Sequence, residues 1–351
     1  MTNNILEKFS RYTKKKYKLV RSSVFLSIYG KIVVSKKPPN TKFKILKNYT
    51  FKEFSKYKYN FYEIQNGRVF TDNIENVSII SNNNLLDKFS FQQIKGKLVK
   101  SRDNQIIKTG TPKFITKANG NLAVLAQGAS GYNNYAHFLL DIVPKIKLLS
   151  LARNIKKINF FYFSKLNKFQ KEIFRIMGLK ENKIIDSNKF RHVQSNKVFG
   201  VTHPYYFSGT FSEAQSKIPK WIIYYLKKKF LTKKIILNHK KIFIDRSDSY
   251  LKHCKLINNI EIKKFLKSKG FKILRLSDFS FRKQVNLFSN AKIIIGPHGA
   301  GFANLIFCKK NTKVIELKPS NHPNSVYRRI SGINKLKYKL KKLKYVKENT
   351  K

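Results

Sequence analysis

From Lys240 onward, short runs rich in β-branched and aromatic residues alternate with stretches whose apolar positions recur at helical spacing. Lys241-Ile242-Phe243-Ile244-Asp245 reads as a buried strand ending at Arg246. Ile262, Phe265 and Leu266 repeat at i, i+3 and i+4 and predict a helix over 257–269, closed by Gly270. A strand at 271–274 follows, then a helix striped by Phe281, Val285 and Phe288 behind a Ser277-Asp278 or Ser280 cap. The run 292–295 reads as a third strand entering Gly296, with a glycine-rich turn, a short helix at 304–307 and a fourth strand at 313–317 after it. Strands alternating with helices predict a parallel sheet covered on both faces.

Residues 122–200 show a less regular version of the same pattern. Strands are expected at 122–127, 158–163, 183–185 and 198–201, and one helical face carries Phe138, Ile142, Ile146 and Leu149 despite Pro144. A second helix with Phe169, Ile173 and Met177 ends at Gly178. The first 120 residues give weakly patterned β-like pieces and turn signals. Between His203 and His239 a helix over 218–230 is bounded by turn residues and by Lys233 and Lys234, and reads as a linker. The organisation expected is an N-terminal lobe over 1–205, a linker over 206–239, a C-terminal lobe over 240–320, and a helical, basic segment over 321–351.

Length fits that division: 351 residues with 42% apolar content can fill two ordinary cores. Cys254 and Cys308 are far apart and lack metal-ligand spacing, which argues against a disulfide framework or a zinc site and fits a reducing compartment. The longest charge-free apolar run, 293–308, is too short to cross a bilayer and is broken by Gly296, Pro297, His298, Gly299 and Gly301. No export signal is evident near the N-terminus, so a cytoplasmic location is expected.

Charge changes the picture more. Lys and Arg number 74 against 18 Asp and Glu, spread along the whole chain. The lysine runs carry no nucleic-acid reading head, so a solvated basic surface drawn to anionic lipid or polyanionic glycan is favoured over nucleic acid.

In an open parallel sheet, ligands bind outside the carboxyl ends of the strands. Three such ends are chemically loaded: Arg246, the turn Gly296-Pro297-His298-Gly299-Ala300-Gly301 with Asn304 behind it, and Glu316. Glycines allow close approach of backbone to phosphate, the following helix offers N–H groups to an anion, Arg246 matches a diphosphate, and Glu316 suits ribose hydroxyls. Each also has a plain structural explanation: tight packing for the glycines, an Arg246–Asp248 pair, a surface carboxylate at Glu316. The turn is not G-x-G-x-x-G opening a first βα unit, which disfavours a nicotinamide enzyme. Upstream, His137 and Asp141 stand four apart on a helix, as either a general base held by a carboxylate or a core histidine with a solvated neighbour. Gly128-Ala129-Ser130-Gly131 is not a nucleophile elbow, and no D-x-D pair occurs to hold a metal-bound nucleotide sugar.

Taken together, Ile244-Asp245-Arg246-Ser247, the 281–291 helix with Gln284, Ile295 to Asn304, Val314-Ile315-Glu316 and the upstream Asn134-Tyr135-Ala136-His137-Phe138-Leu139-Leu140-Asp141-Ile142-Val143-Pro144 resemble glycosyltransferase family 61 over about 127–318. The resemblance implies an α/β fold of GT-B type, two Rossmann-like lobes with parallel sheets facing a cleft, and inverting transfer from a nucleotide sugar. Its members build surface glycans, xylans or glycoproteins. Where the family commonly has an Arg followed by Asn-Glu, this chain has Lys255-Leu256-Ile257-Asn258-Asn259, which weakens the phosphate fork.

The expectation is therefore a transferase with His137 and Asp141 as catalytic pair, no cofactor, a nucleotide-sugar donor, and a glycan or lipid-linked acceptor in surface polysaccharide synthesis, peripheral on the inner membrane face. The alternative is a non-catalytic binder of glycan or nucleic-acid polyanions on the same fold.

Overall fold

The computed structural model describes residues 2–47, 53–73, 76–94, 97–99, 101–126, 134–207, 209–231, 240–248, 254, 256–323 and 325–344. The chain is α/β, with two sheets and helices packed against them. The glycine-containing stretch 128–131, the linker lysines Lys233 and Lys234, and Lys255 lie outside the described residues.

In the C-terminal half, five parallel strands lie in the order Lys272–Arg275, Lys241–Asp245, Ile293–Pro297, Lys313–Pro319, Lys337–Leu343. The first two pairings reverse the direction of winding between Lys241–Asp245 and Ile293–Pro297, so these two carboxyl ends flank the topological switch point. The helices fall where the pattern put them. Asn259–Ser268 ends before Gly270 at φ +78°, a left-handed position suited to glycine. Phe281–Asn290 is capped by the Ser280 side chain, which accepts from the Lys283 N–H.

The segment after 320 differs from expectation. It forms the Val326–Ile333 helix, with Val326, Tyr327, Ile330 and Ile333 buried, and then the fifth strand of the sheet. Lys337, Lys339 and Lys341 are exposed while Tyr338 and Leu340 turn inward, a lysine-protected edge strand whose alternation hides inside a run of like charges.

In the N-terminal half, the described strands form one sheet of twelve. Its parallel part runs His192–Val201, Thr116–Val124, Phe160–Phe163, Ile184–Asp186, and antiparallel strands including Asn60–Gln65 and Arg68–Asn73 extend it from His192–Val201. A 28-residue helix, Thr2–Tyr29, precedes them and was not foreseen. The Pro144 problem is solved by a change of pitch. Tyr135–His137 is α-helical, Phe138–Ile142 is a π turn, and Val143–Ala152 resumes the α-helix with Pro144 in its first turn, where no N–H is needed.

The expected linker is instead core. Phe211–Ser216 and Lys220–Phe230 are helices, and Trp221, Ile222, Ile223, Leu226 and Phe230 are buried. Trp221 donates to the Tyr59 hydroxyl at 2.9 Å, and the Phe230 ring meets Phe281 edge-on at 4.9 Å. One contiguous apolar core thus runs through both halves.

Candidate functional site

At the switch point, Arg246 leaves the Lys241–Asp245 strand and lies over the glycine turn, its Nη1 donating to the His298 carbonyl. Gly299 makes this possible: a Cβ there would sit 2.3 Å from Arg246 Cζ. Gly296 and Gly301 likewise make room for Ile244 and Leu276 side chains. The glycines expected to admit a phosphate therefore admit protein side chains, and the turn is packed from within. The Asp248 carboxylate accepts from the Ser277 N–H at 3.4 Å. Ala300 opens a 3₁₀ helix, Ala300–Phe307, directly after Gly299, the residue on which Arg246 lies.

His298 and Glu316 are both buried and hydrogen-bonded to each other, through Nδ1 and Oε1. The Tyr338 hydroxyl donates to Glu316 Oε2. With both carboxylate oxygens engaged and the side chain out of solvent, Glu316 is not an open acceptor for ribose. It clamps His298 instead, and through the His298 backbone it fixes the place of Arg246. The His322 ring lies tilted against His298 at 4.1 Å, Lys318 is buried on the same strand face as Glu316, and Cys254 shares a side-chain hydrogen bond with Arg246. Burial raises the Cys254 thiol pKa, with Arg246 pulling the other way. The edge is cationic.

Asn304 also differs from its expected role. It is wholly buried: Oδ1 accepts from the Tyr135 hydroxyl at 2.6 Å, and Nδ2 donates to Gln284 Oε1 at 2.9 Å and to the Gly301 carbonyl at 3.2 Å. Gln284 in turn donates to the Leu276 carbonyl at 2.9 Å. Asn304 joins the upstream motif to the glycine turn, and the Tyr135–His137 turn packs against Ala300–Phe307.

Two residues beyond Tyr135, His137 Nδ1 lies 2.9 Å from Asp141 Oδ2, with the imidazole 19% exposed and the carboxylate fully buried. A ring that donates Nδ1–H to a carboxylate presents Nε2 as its proton acceptor. Tyr205 donates to Asp141 Oδ1. Burial raises the Asp141 pKa, opposed by His137, Tyr205 and Lys145. Lys145, one turn further on and buried, is brought down to about 7 by desolvation, against the pull of Asp141. His203 Nδ1 accepts from the N–H groups of Tyr205 and Tyr206 at 3.2 and 2.9 Å, and burial, Lys145 and His137 hold it neutral, well below the usual histidine range. The bland alternative of a solvated Asp141 does not hold: the carboxylate is the centre of a buried polar network.

The His137–Asp141 pair, Arg246 and the glycine turn, read separately along the sequence, are thus brought to one junction. Tyr135, Tyr205, Lys145, His203, His322 and Tyr338 were missed. Lys145 was signalled by its i+4 spacing from Asp141, whereas Tyr205 and Tyr338 come from segments read as linker and tail. Among the described residues no three His, Cys, Asp or Glu side chains converge as a metal site.

The Glycosyltransferase 61 family model matches residues 135–315, just over half of the chain, from the Tyr135 turn to the residue before Glu316. The chain belongs to glycosyltransferase family 61. The family assignment makes this chain a glycosyltransferase, and the match spans both sides of the junction. No curated protein matches the chain.

Proposed function

We propose that this family 61 member is an inverting transferase of GT-B type, with the nucleotide-sugar donor on the C-terminal sheet edge and the acceptor on the His137 side. The observation that carries the reading is the Tyr135–Asn304 hydrogen bond, which ties the turn bearing the His137–Asp141 pair to the switch-point turn over which Arg246 lies. In a single displacement, His137 Nε2 takes the proton of the acceptor hydroxyl as its oxygen attacks the anomeric carbon. The bond from that carbon to the diphosphate breaks with inversion, and the nucleoside diphosphate departs with the electron pair. Asp141 stabilises the imidazolium as it forms. Arg246 and the N-terminus of Ala300–Phe307 oppose the charge growing on the leaving phosphate, a preorganised electrostatic task. The acceptor we infer is a glycan or glycoconjugate of a surface polysaccharide.

A panel of nucleotide sugars, tested for binding and for slow donor hydrolysis, checks this. Binding of one donor with release of its nucleoside diphosphate supports the reading. Tight polyanion binding with a steep salt slope and no donor binding or turnover overturns it in favour of a non-catalytic binder.

A further inference from the structure

The Thr2–Tyr29 helix is anchored to the body by its last turns. Phe25 is buried against the rings of Tyr29 and Phe114 at 5.9 and 5.0 Å, Leu26 packs on Gly110, and the Tyr29 carbonyl accepts from Asn83 Nδ2 at 2.7 Å. From Arg11 to Val20 every side chain is exposed. Leu6, Phe9, Tyr17, Val20, Val24 and Ile28 are between 50% and 67% exposed. At roughly 100° per residue, these six fall within an arc of about 100°, shared with Thr13 near its middle and with Ser10 and Ser27 at its edges, opposite Ser22, Leu26 and Tyr29, which face the body. Tyr12 and Leu19 lie off the stripe. Left in water, these side chains add nothing to the fold, and among the described residues nothing covers them, so the stripe is a surface suited to an external apolar partner.

The polar positions say which. Arg11, Lys14, Lys15, Lys16, Lys18 and Arg21 crowd the same helix, and Glu7, its one acidic residue, is paired with Arg11 at 3.1 Å. A second copy would set like charges against each other in a protein of net charge +56. Among the described residues no helix is long and apolar enough to cross a membrane. An apolar stripe on a strongly cationic helix that does not span is the pattern of an interfacial helix. We propose that Thr2–Tyr29 lies in the headgroup plane of an anionic bilayer, with Leu6, Phe9, Val20 and Val24 dipping into the acyl boundary and the lysines on lipid phosphates. The docking is independent of transfer chemistry. It sets the transferase against a lipid surface by a defined element rather than by diffuse charge.

Flotation of the full chain with vesicles of phosphatidylcholine alone, or of phosphatidylcholine mixed with phosphatidylglycerol, tests this. Binding is expected to the mixed vesicles only. The triple variant Phe9→Ser, Val20→Ser, Val24→Ser should lower partitioning by about 100-fold, through lost apolar insertion, with an unchanged melting temperature because these side chains are exposed. Lys14→Gln with Lys15→Gln and Lys16→Gln should weaken binding and flatten its salt dependence. In a Val20→Trp variant, brominated lipid should quench the new emission. Three results would overturn the proposal: equal flotation of the serine variant, which means adsorption by charge alone; no flotation of the parent chain; or a dimer dissolved by the serine variant in a chain that ignores vesicles.

Discussion

The Tyr135 hydroxyl donates to Asn304 Oδ1 across 169 residues of sequence at 2.6 Å, and that bond couples the helix carrying His137 to the turn beneath Arg246. Tyr135→Phe removes the donor and leaves a buried amide oxygen unsatisfied, at a cost of about 1–3 kcal/mol. Denaturant unfolding should show that loss, and kcat should fall because the two halves of the site are no longer held in register. A Phe variant with parental stability and turnover would show that packing alone sets the junction.

His137→Ala, in a variant shown to be folded, should lower kcat by about 10²–10⁴-fold with donor binding nearly intact, as expected for loss of a general base. Asp141→Asn should cost less. Its amide can turn the oxygen to His137 while the Tyr205 hydroxyl accepts from Nδ2, so the imidazole keeps its tautomer and loses only the charge opposite the imidazolium. Full turnover in the alanine variant would send the search for a base elsewhere at the junction.

Gly299→Ala drives a methyl into the Arg246 guanidinium, 2.3 Å from Cζ, and should reproduce the effect of Arg246→Ala: weaker nucleoside diphosphate binding and a raised donor KM. Titration calorimetry with a matched nucleoside diphosphate reads this directly. Parental affinity in Gly299→Ala would mean that Arg246 does not reach the donor.

A residue outside the turn distinguishes a positioning role for Glu316 from direct ribose contact. Tyr338→Phe should share the donor-binding defect of Glu316→Ala in weaker form, because Tyr338 holds the other carboxylate oxygen. Glu316→Ala should also melt earlier, since it strands His298 in a buried site. A Glu316→Ala variant with lost affinity and an unchanged melting temperature would favour direct contact.

Acid should destabilise the fold through buried neutral histidines. His192 is brought down to about 4, mainly by burial and also by Arg68, while the Lys113 carbonyl acts against this. The unfolded chain takes up this proton near pH 6.5 and the native one only near 4, so stability is full above 6.5 and falls as pH drops between the two. At about 1.4 kcal/mol per unit the loss approaches ~3 kcal/mol. His203 acts in the same direction below 6.5, and the raised carboxyl of Asp141 in the opposite one. Denaturant unfolding at pH 7 and at lower pH should show the fall, and His192→Asn should reduce its slope. An unchanged slope would place the acid sensitivity elsewhere.

The sequence by itself determined the α/β character of both halves, the parallel C-terminal sheet, the family, and part of the junction: His137, Asp141, Arg246 and the glycine turn. All of these rest on local periodicity, caps and motifs, which short-range physics writes into neighbouring positions. It did not reveal the Thr2–Tyr29 helix, whose apolar stripe meets no partner among the described residues, or the edge strand Lys337–Leu343, whose alternation is masked by lysine. Nor did it show what the candidate residues touch. Whether Glu316 faces a ligand or His298, whether Asn304 binds a donor or Tyr135, and whether a glycine admits a phosphate or an arginine depend on contacts between segments far apart in the chain. Those contacts are decided by how the two sheets and the buried Lys220–Phe230 helix pack into one core.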